Sequence, residues 1–325
     1  MPNYNGVWSL STQYQYNTDW QADNVSPARV AATIAARGLF ALGQVAAGAS
    51  NTIDQISIVS EGNATDFGNL SIARLNLAAL ASATRGVFAG GYADYNANAD
   101  RMDYVALAST GNAATFGNLT AAREGVRGLS SSTRGVFGGG YASDLVNTMD
   151  YITIANTGNA TDFGDLTAAR QTSGAAGSTT RGLFAGGSSS TNIVDYITIA
   201  SVGNASDFGD LIAANLSPSG ASSSTRALFN GGVNGSTVVA TIDYFTIAST
   251  GNGTDFGDLS VARYLTGACS NSIRSVVGAG GEASAIGNVI DFTVIATTGN
   301  ASDFGDSSAT AYKGSGCCGS HGGIA

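Results

Sequence analysis

The most reactive side chains of this sequence lie close together in the segment CCGSHGGIA, residues 317–325. It contains Cys317, Cys318 and His321, which are two of the three cysteines and the only histidine of the chain. Thiolates and imidazoles bind zinc and carry redox or nucleophilic chemistry. Adjacent residues on a strand point to opposite faces, however, so both thiols cannot easily face one metal together with His321. We therefore predict no metal site and no cofactor here.

The charged residues are few and mainly acidic, which limits the partners. Only 11% of the residues are charged, the net charge is −9, and Lys313 is the single lysine. Phosphate binding needs concentrated positive charge, and the arginines here are dispersed, so we expect no nucleic-acid partner. The N-terminal MPNYNGVWSL does not have the pattern of a signal peptide, and no apolar run reaches bilayer length. We expect a soluble chain without membrane insertion.

An internal repeat of about 47 residues organises the chain. Copies such as GNATDFGNL (62–70) and GNASDFGDL (203–211) place an aromatic residue at intervals of 49, 47, 45, 48 and 48 residues. These six aromatics are Phe67, Phe116, Phe163, Phe208, Phe256 and Phe304. Repeats of this length, each with several short strand patterns, are typical of propeller blades.

Each unit is predicted to form four antiparallel strands, A to D. Strand A is a run of small residues such as SGAAGS (173–178), and B is a run such as RGLFAGG (181–187). Strand C resembles DYITIA (195–200), and strand D resembles ATDFGDL (160–166). The Gly-Asn before each D strand predicts a two-residue hairpin between C and D. Small residues suit the crowded axis, and the aromatics of C and D, such as Tyr151 and Phe163, are expected to fill the wider gaps farther out.

The chain ends are predicted to complete a seventh unit. Trp8 and Trp20 are twelve residues apart, like Tyr104 and Phe116, so residues 6–28 fit the C and D positions. Residues 308–325 fit A and B, with His321 at the position of Arg274. The prediction is a single all-β domain, 1–325, a seven-bladed propeller. Residues 30–307 form six blades, and 308–325 with 6–28 form the last, which removes free sheet edges.

The order of these strands resembles the kelch repeat over nearly the whole chain, although kelch units usually carry Trp in strand D and here only Trp20 does so. Runs such as STRGVFGGG (132–140) and the final SHGG (320–323) are more similar to kelch-like, tail-fibre-like proteins of tailed phages of marine cyanobacteria. That resemblance implies a non-enzymatic virion protein that binds other virion proteins, and host attachment or decoration of the particle as its role.

Two other functions stay open. One is an intracellular kelch-like interaction scaffold. The other, weaker, is an enzyme, because kelch-type propellers include copper radical oxidases and other propellers hydrolyse glycans. One histidine cannot build a multi-histidine copper site, and most of the arginines recur at repeat positions, which indicates structural roles. We therefore predict no catalytic residues.

Candidate binding residues lie where the units differ most, in the loops between strands B and C. These loops are expected to share one face with the D-to-A connections, and loops on a rigid scaffold are the usual place for recognition. Tyrosines, carboxylates and amides suit stacking and hydrogen bonding to a sugar, and equally a protein interface or plain solvated turns. The candidates for binding a host-surface glycan or protein are Tyr92, Asp94, Tyr95, Tyr141, Asp144, Asn234 and Glu282.

Overall fold

Short antiparallel strands are the regular structure of residues 37–93, 97–188 and 191–321, which the computed structural model describes. The predicted all-β class is confirmed for these residues. Among them, no helix is long and apolar enough to cross a membrane. Trp8, Trp20, Asp94 and Tyr95 lie outside the described residues, so the predictions that concern them remain predictions.

In the part of the chain that the structure describes, six sheets have four strands each, in the order A-B-C-D. Sheet 1 is Ser315–Cys318, Arg37–Ala41, Thr52–Ser57 and Thr65–Asn69; sheet 2 is Ala78–Ala81, Arg85–Ala89, Arg101–Ala106 and Ala114–Asn118. Sheet 3 is Arg127–Ser130, Arg134–Gly138, Thr148–Thr153 and Thr161–Asp165; sheet 4 is Gly174–Gly177, Arg181–Ala185, Ile193–Thr198 and Ser206–Asp210. Sheet 5 is Ser219–Ser222, Arg226–Asn234, Thr237–Thr246 and Thr254–Asp258; sheet 6 is Gly267–Ser270, Arg274–Gly281, Ile286–Val294 and Ser302–Asp306.

The A strands contact one another in cyclic order, so the fold of the described residues is propeller-like. Around the axis, the second residue of the A strand alternates between alanine and glycine, in the order Ala79, Gly128, Ala175, Gly220, Ala268, Gly316. An added Cβ at Gly128 or Gly316 would lie 2.8 or 2.6 Å from the carbonyl oxygen of the preceding alanine, and closer still at Gly220. The prediction that small residues line the axis is thus confirmed. Because these glycines have no side chain, the backbone of a neighbouring sheet can lie close to them.

The arginine that begins each B strand connects its sheet to the next. In sheets 2 to 6 its guanidinium lies 4.3–4.8 Å from the ring of the strand C aromatic, as Arg85 does over Tyr104. Its Nη1 also donates to a carbonyl of the following sheet, as Arg85 does to Ile154 at 2.8 Å. Arg274 of sheet 6 reaches Ile58 of sheet 1, and Arg37 of sheet 1 reaches Leu107 of sheet 2. These arginines are therefore structural, as predicted.

The predicted aromatic pairs are confirmed. Tyr151 and Phe163 meet edge to face with ring centroids 6.1 Å apart, in the geometry that aromatic quadrupoles favour. The same arrangement recurs in sheets 2, 4, 5 and 6. The strand D phenylalanines Phe67, Phe116, Phe163, Phe208, Phe256 and Phe304 are all at most 3% exposed.

The predicted two-residue hairpin between C and D is wrong. In sheet 1, strand C ends at Ser57 and strand D begins at Thr65, so the connection is longer. Its Gly-Asn pair contacts the neighbouring sheet instead. Gly62 N–H donates to Phe304 O at 2.8 Å, and Asn63 Oδ1 accepts from Asp306 N–H at 3.1 Å. The Gly-Asn pair recurs because it links neighbouring sheets. Sequence rules for two-residue hairpin turns do not detect such a contact.

The predicted seventh blade is not confirmed, and one of its pairings is different. Ser315–Cys318 is an A strand, as expected, but it pairs with Arg37–Ala41, with Gly38 opposite Cys318. The repeat pattern predicts instead that residues 308–325 form a blade with 6–28. Residues 30–33 and 315–318 occupy equivalent repeat positions, so periodicity alone does not decide which segment lies beside Arg37–Ala41.

Candidate functional site

The reactive residues of the C-terminal segment lie at the axis. A cavity of about 50 Å³ there is lined by all six A strands and by His321. His321 Nε2 lies 3.0 Å from Ser130 Oγ and 3.2 Å from Ala81 O. Ser130 Oγ also lies 2.7 Å from Ala81 O, so the serine hydroxyl, the imidazole and this carbonyl form one hydrogen-bonded group at the axis.

The thiols pack apart, as the strand geometry predicts. Cys317 belongs to a core cluster with Leu39 and Leu107, and Cys318 belongs to another with Ile56 and Cys269. Burial raises the pKa of all three thiols and lowers the pKa of His321, so thiols and imidazole are neutral at pH 7. Within 37–93, 97–188 and 191–321, no three or more His, Cys, Asp or Glu side chains group as metal ligands.

The B-to-C loops and the D-to-A connections share one face, which confirms the expected layout. Tyr92–Ala93 pairs with both Ala97–Asn98 and Arg74–Leu75. The equivalent contacts are Glu124 with Tyr141, Leu216 with Val233 and Tyr264 with Gly281, and in sheet 1 Gln44–Val45 pairs with Gly48–Ala49 and Ala311–Tyr312. We call this face the loop face.

Tyr141 is the most exposed aromatic among the predicted binding residues that the structure describes, with 37% of its surface accessible. Its backbone exchanges two hydrogen bonds with Glu124, at 2.8 and 3.0 Å. Asn98 Nδ2 of the preceding sheet's loop donates to the carbonyls of Tyr141 and Ala142 at 2.9 and 2.8 Å. The two loops are thereby joined, and the phenol ring projects from a fixed backbone.

The other candidates are spread over the loop face. Tyr92 is half-buried in the short strand next to Asn98, and Asp144 Oδ1 accepts from Leu145 N–H at 2.8 Å within a tight turn. Asn234 lies exposed at the end of a hairpin of sheet 5. Glu282 lies in a turn of sheet 6, where its N–H donates to Ala285 O. The structure therefore brings Tyr92 near Tyr141 but does not join Asn234 and Glu282 to them.

A network of buried ion pairs is the feature that the sequence predictions missed. Each strand C carries an aspartate at a β-bulge, where the register with strand D shifts. In sheet 4, Asp195 accepts from Arg170 Nη2 at 2.7 Å and from the Thr167 hydroxyl at 2.5 Å. The same pairing joins Arg74 to Asp103, Arg123 to Asp150 and Arg263 to Asp291, all nearly inaccessible to solvent.

Two aspartates lack this arginine. For Asp54, the arginine position of the repeat is occupied by Ala311. Asp54 still accepts hydrogen bonds from Ser308 N–H at 2.8 Å and from Ser308 Oγ at 2.7 Å. Asp243 has Asn215 at the arginine position and Ile212 at the hydroxyl position, and it keeps one backbone donor, Ile212 N–H at 2.9 Å. Burial raises the pKa of both carboxyls, and Asp255 raises that of Asp243 further.

A cavity of about 220 Å³ lies beside Asp243. Asn215, Asn234, Thr241 and Asp255 contribute polar groups to its wall. The apolar lining comes from Ile212, Ala213, Ala214 and Val239. Asn234 is thus the one predicted binding residue that lines this cavity. The sequence alone could have indicated the buried ion pairs, because an Ala-Arg pair after strand D recurs together with an Asp-aromatic pair in strand C. It also shows that Asn215 takes the place of this arginine in one unit.

A search against models of known protein families finds no match, and a search of curated proteins finds no significant similarity.

Proposed function

We propose that this chain is a non-enzymatic structural protein of a tailed-phage virion, associated with the tail or fibre, whose loop face binds a host-surface glycan or protein or attaches it to the particle. The source of the proposal is the resemblance of the repeats to kelch-like phage proteins. We further propose that the scaffold is a closed β-propeller, in which the pairing of Ser315–Cys318 with Arg37–Ala41 forms the closure.

The fixed presentation of Tyr141 is the observation that carries the binding role. A loop that must order on binding loses conformational entropy, which weakens the affinity. Here the backbone of Tyr141 is already held by Glu124 and by Asn98, while its ring is exposed. An amphipathic ring presented in this way offers a stacking surface for a sugar or an anchor for a protein.

A glycan array with the purified protein tests the binding role. We expect Tyr141→Ala and Tyr92→Ala each to weaken binding about tenfold or more, which is the loss of roughly 1.4 kcal/mol. Val202→Ala is a matched control, because Val202 is 58% exposed in a C-to-D connection, at the opposite end of strand C from the loop face. Equal binding by wild type and both tyrosine variants would remove this site.

Mass spectrometry of purified virions tests the location. The proposal predicts that peptides of this chain remain with particles through density-gradient purification. Their presence only in the lysate of infected or uninfected cells would favour the intracellular interaction scaffold instead.

A further inference from the structure

We propose that the cavity beside Asp243 is a binding site for an alkylguanidinium ion, the group that an arginine side chain carries. In four other sheets, an arginine of this same chain occupies the equivalent position. In sheet 5 the cation would come from a separate molecule. This inference is independent of the proposed virion role.

The four sheets with a buried arginine show what such a site provides. In sheet 2, Arg74 Nη2 donates to Asp103 at 2.8 Å and to Phe88 O at 3.2 Å, while Nη1 donates to Arg101 O at 2.5 Å and Gly90 O at 3.1 Å. One carboxylate and three carbonyls therefore surround the guanidinium of Arg74, and the same number surround that of Arg263 in sheet 6. The repeat places Asp243, Phe229, Thr241 and Gly231 at the equivalent positions of sheet 5.

Sheet 5 has Asn215 in place of the arginine, and two of the four acceptor residues, Thr241 and Asp243, line the cavity. Asn215 is too short to reach as an arginine does, and its Nδ2 donates to Gly231 O at 2.7 Å, which satisfies one of the three carbonyls. Its Oδ1 is buried without a partner. Asp243 is only 9% exposed, lines the cavity, and forms no ion pair with any residue of 37–93, 97–188 or 191–321. A buried carboxylate without a cation is unfavourable, so a bound cation would be stabilised strongly.

The cavity also suits the stem of the ligand. A single water needs only about 10–15 Å³, so 220 Å³ has room for an organic cation. Ile212 is 57% exposed and lines the cavity together with Val239, which offers an apolar contact for methylene groups. The exposed Asp255 adds a second negative charge at the same wall.

A guanidinium fits this set of acceptors better than an ammonium ion does. It is planar, presents five N–H donors in a fixed fork, and is more weakly hydrated, so it loses less on entering a partly buried site. In sheet 2 this fork already binds a carboxylate and three carbonyls around Arg74. The ligand is then either a small free guanidine or an arginine side chain of a partner, and the two sources share this chemistry.

Isothermal titration calorimetry with the full chain tests the proposal. The probes are agmatine, the peptide acetyl-Gly-Arg-Gly-amide, and butylamine as an ammonium control. We expect saturable one-to-one binding of agmatine or the peptide, and binding of butylamine at least about tenfold weaker. Tighter binding of the peptide identifies a protein arginine as the source, and tighter binding of agmatine identifies a free guanidine.

Three variants decide whether the binding is at this cavity. Asp243→Asn keeps an acceptor for Ile212 N–H but removes the charge, and we expect at least about a tenfold loss of affinity. Asn215→Arg with Ile212→Thr restores the internal partners, so we expect loss of binding together with a higher melting temperature. Asp303→Asn, the equivalent of Asp255 in sheet 6, should bind like the wild type.

The proposal is overturned if neither guanidinium probe binds at millimolar concentration, if butylamine binds as tightly as agmatine, or if the restored Arg variant still binds. Should the Arg variant fail to fold, Asp243→Asn decides alone, and unchanged affinity in that variant refutes the site. Thermal unfolding by circular dichroism accompanies each titration, so a loss of binding is read only from folded protein.

Discussion

At the scale of single residues, the aspartates of strand C divide into those with an arginine and those without one. Asp54 and Asp243 have a raised pKa because burial disfavours the charged form. A raised pKa means that the native state holds the proton more tightly than the unfolded chain does. The free energy of unfolding therefore decreases as pH rises above 3.8 through the raised value, the opposite of the usual carboxylate contribution.

Asp54→Asn tests this sign. The amide can still accept from Ser308 N–H but carries no charge, so the variant should gain stability relative to wild type as pH rises from 4 toward 7. Chemical denaturation at several pH values measures the difference between the two unfolding free energies. A difference that is constant with pH, or that shrinks toward neutrality, would contradict the assignment of a raised pKa to Asp54.

At the scale of elements, the entry to strand A has a recurrent backbone conformation. The residue two positions before each of these A strands has positive φ: Asn76, Gly125, Thr172, Ser217, Leu265 and Lys313 at 52–64°. At five of these six positions the N–H donates to the carbonyl of the equivalent residue of the preceding sheet, as Thr172 does to Gly125 at 2.7 Å. The connection between sheets thus requires the left-handed region whatever the side chain is.

Thr172→Gly is expected to stabilise the protein by about 1 kcal/mol, because a β-branched residue at φ 54° is strained and glycine is not. Thr172 Oγ1 is also buried without a partner, so its removal costs no hydrogen bond. Urea unfolding gives the change. Ser173→Gly is the control, because the neighbouring Ser173 does not have positive φ and glycine there should lower stability.

The elements that could be predicted from the sequence are those with a local signal. Strands such as Arg181–Ala185 and pairs such as Tyr196 with Phe208 follow from alternation and repeat position. The contact of Gly62 and Asn63 with sheet 6 could not be predicted, because its partners are more than 240 residues away in the chain. The cavity beside Asp243 also needed the structure, since a missing side chain does not reveal whether its space is filled.

At the scale of the whole molecule, the A strand from the C-terminal region determines how the described sheets meet. Strand Ser315–Cys318 contacts the A strands of sheets 2 and 6 as well as its partner Arg37–Ala41. At Gly316 of this strand, an added Cβ would lie 2.6 Å from Ala268 O of sheet 6 and 2.9 Å from the Phe40 ring of its own sheet. Backbone atoms of a packed strand cannot easily move to make room.

Gly316→Ala should therefore lower the free energy of unfolding by about 1–3 kcal/mol, the usual cost of overpacking. Gly158→Ala is a matched control, because a Cβ there meets nothing within 4 Å. Differential scanning calorimetry of both variants gives the comparison. Equal melting temperatures for the two would mean that Ser315–Cys318 does not sit tightly against sheet 6 in solution.

The alternation of alanine and glycine around the axis has a consequence for the number of sheets. Each glycine faces the carbonyl of the alanine strand before it, as Gly128 faces Ala79 and Gly316 faces Ala268. A two-letter alternation closes on itself only when the number of positions is even. A seventh inner strand among these would place two alanines or two glycines side by side. Two alanines would be too crowded, and two glycines would be packed too loosely. The six inner strands of the described residues satisfy this rule.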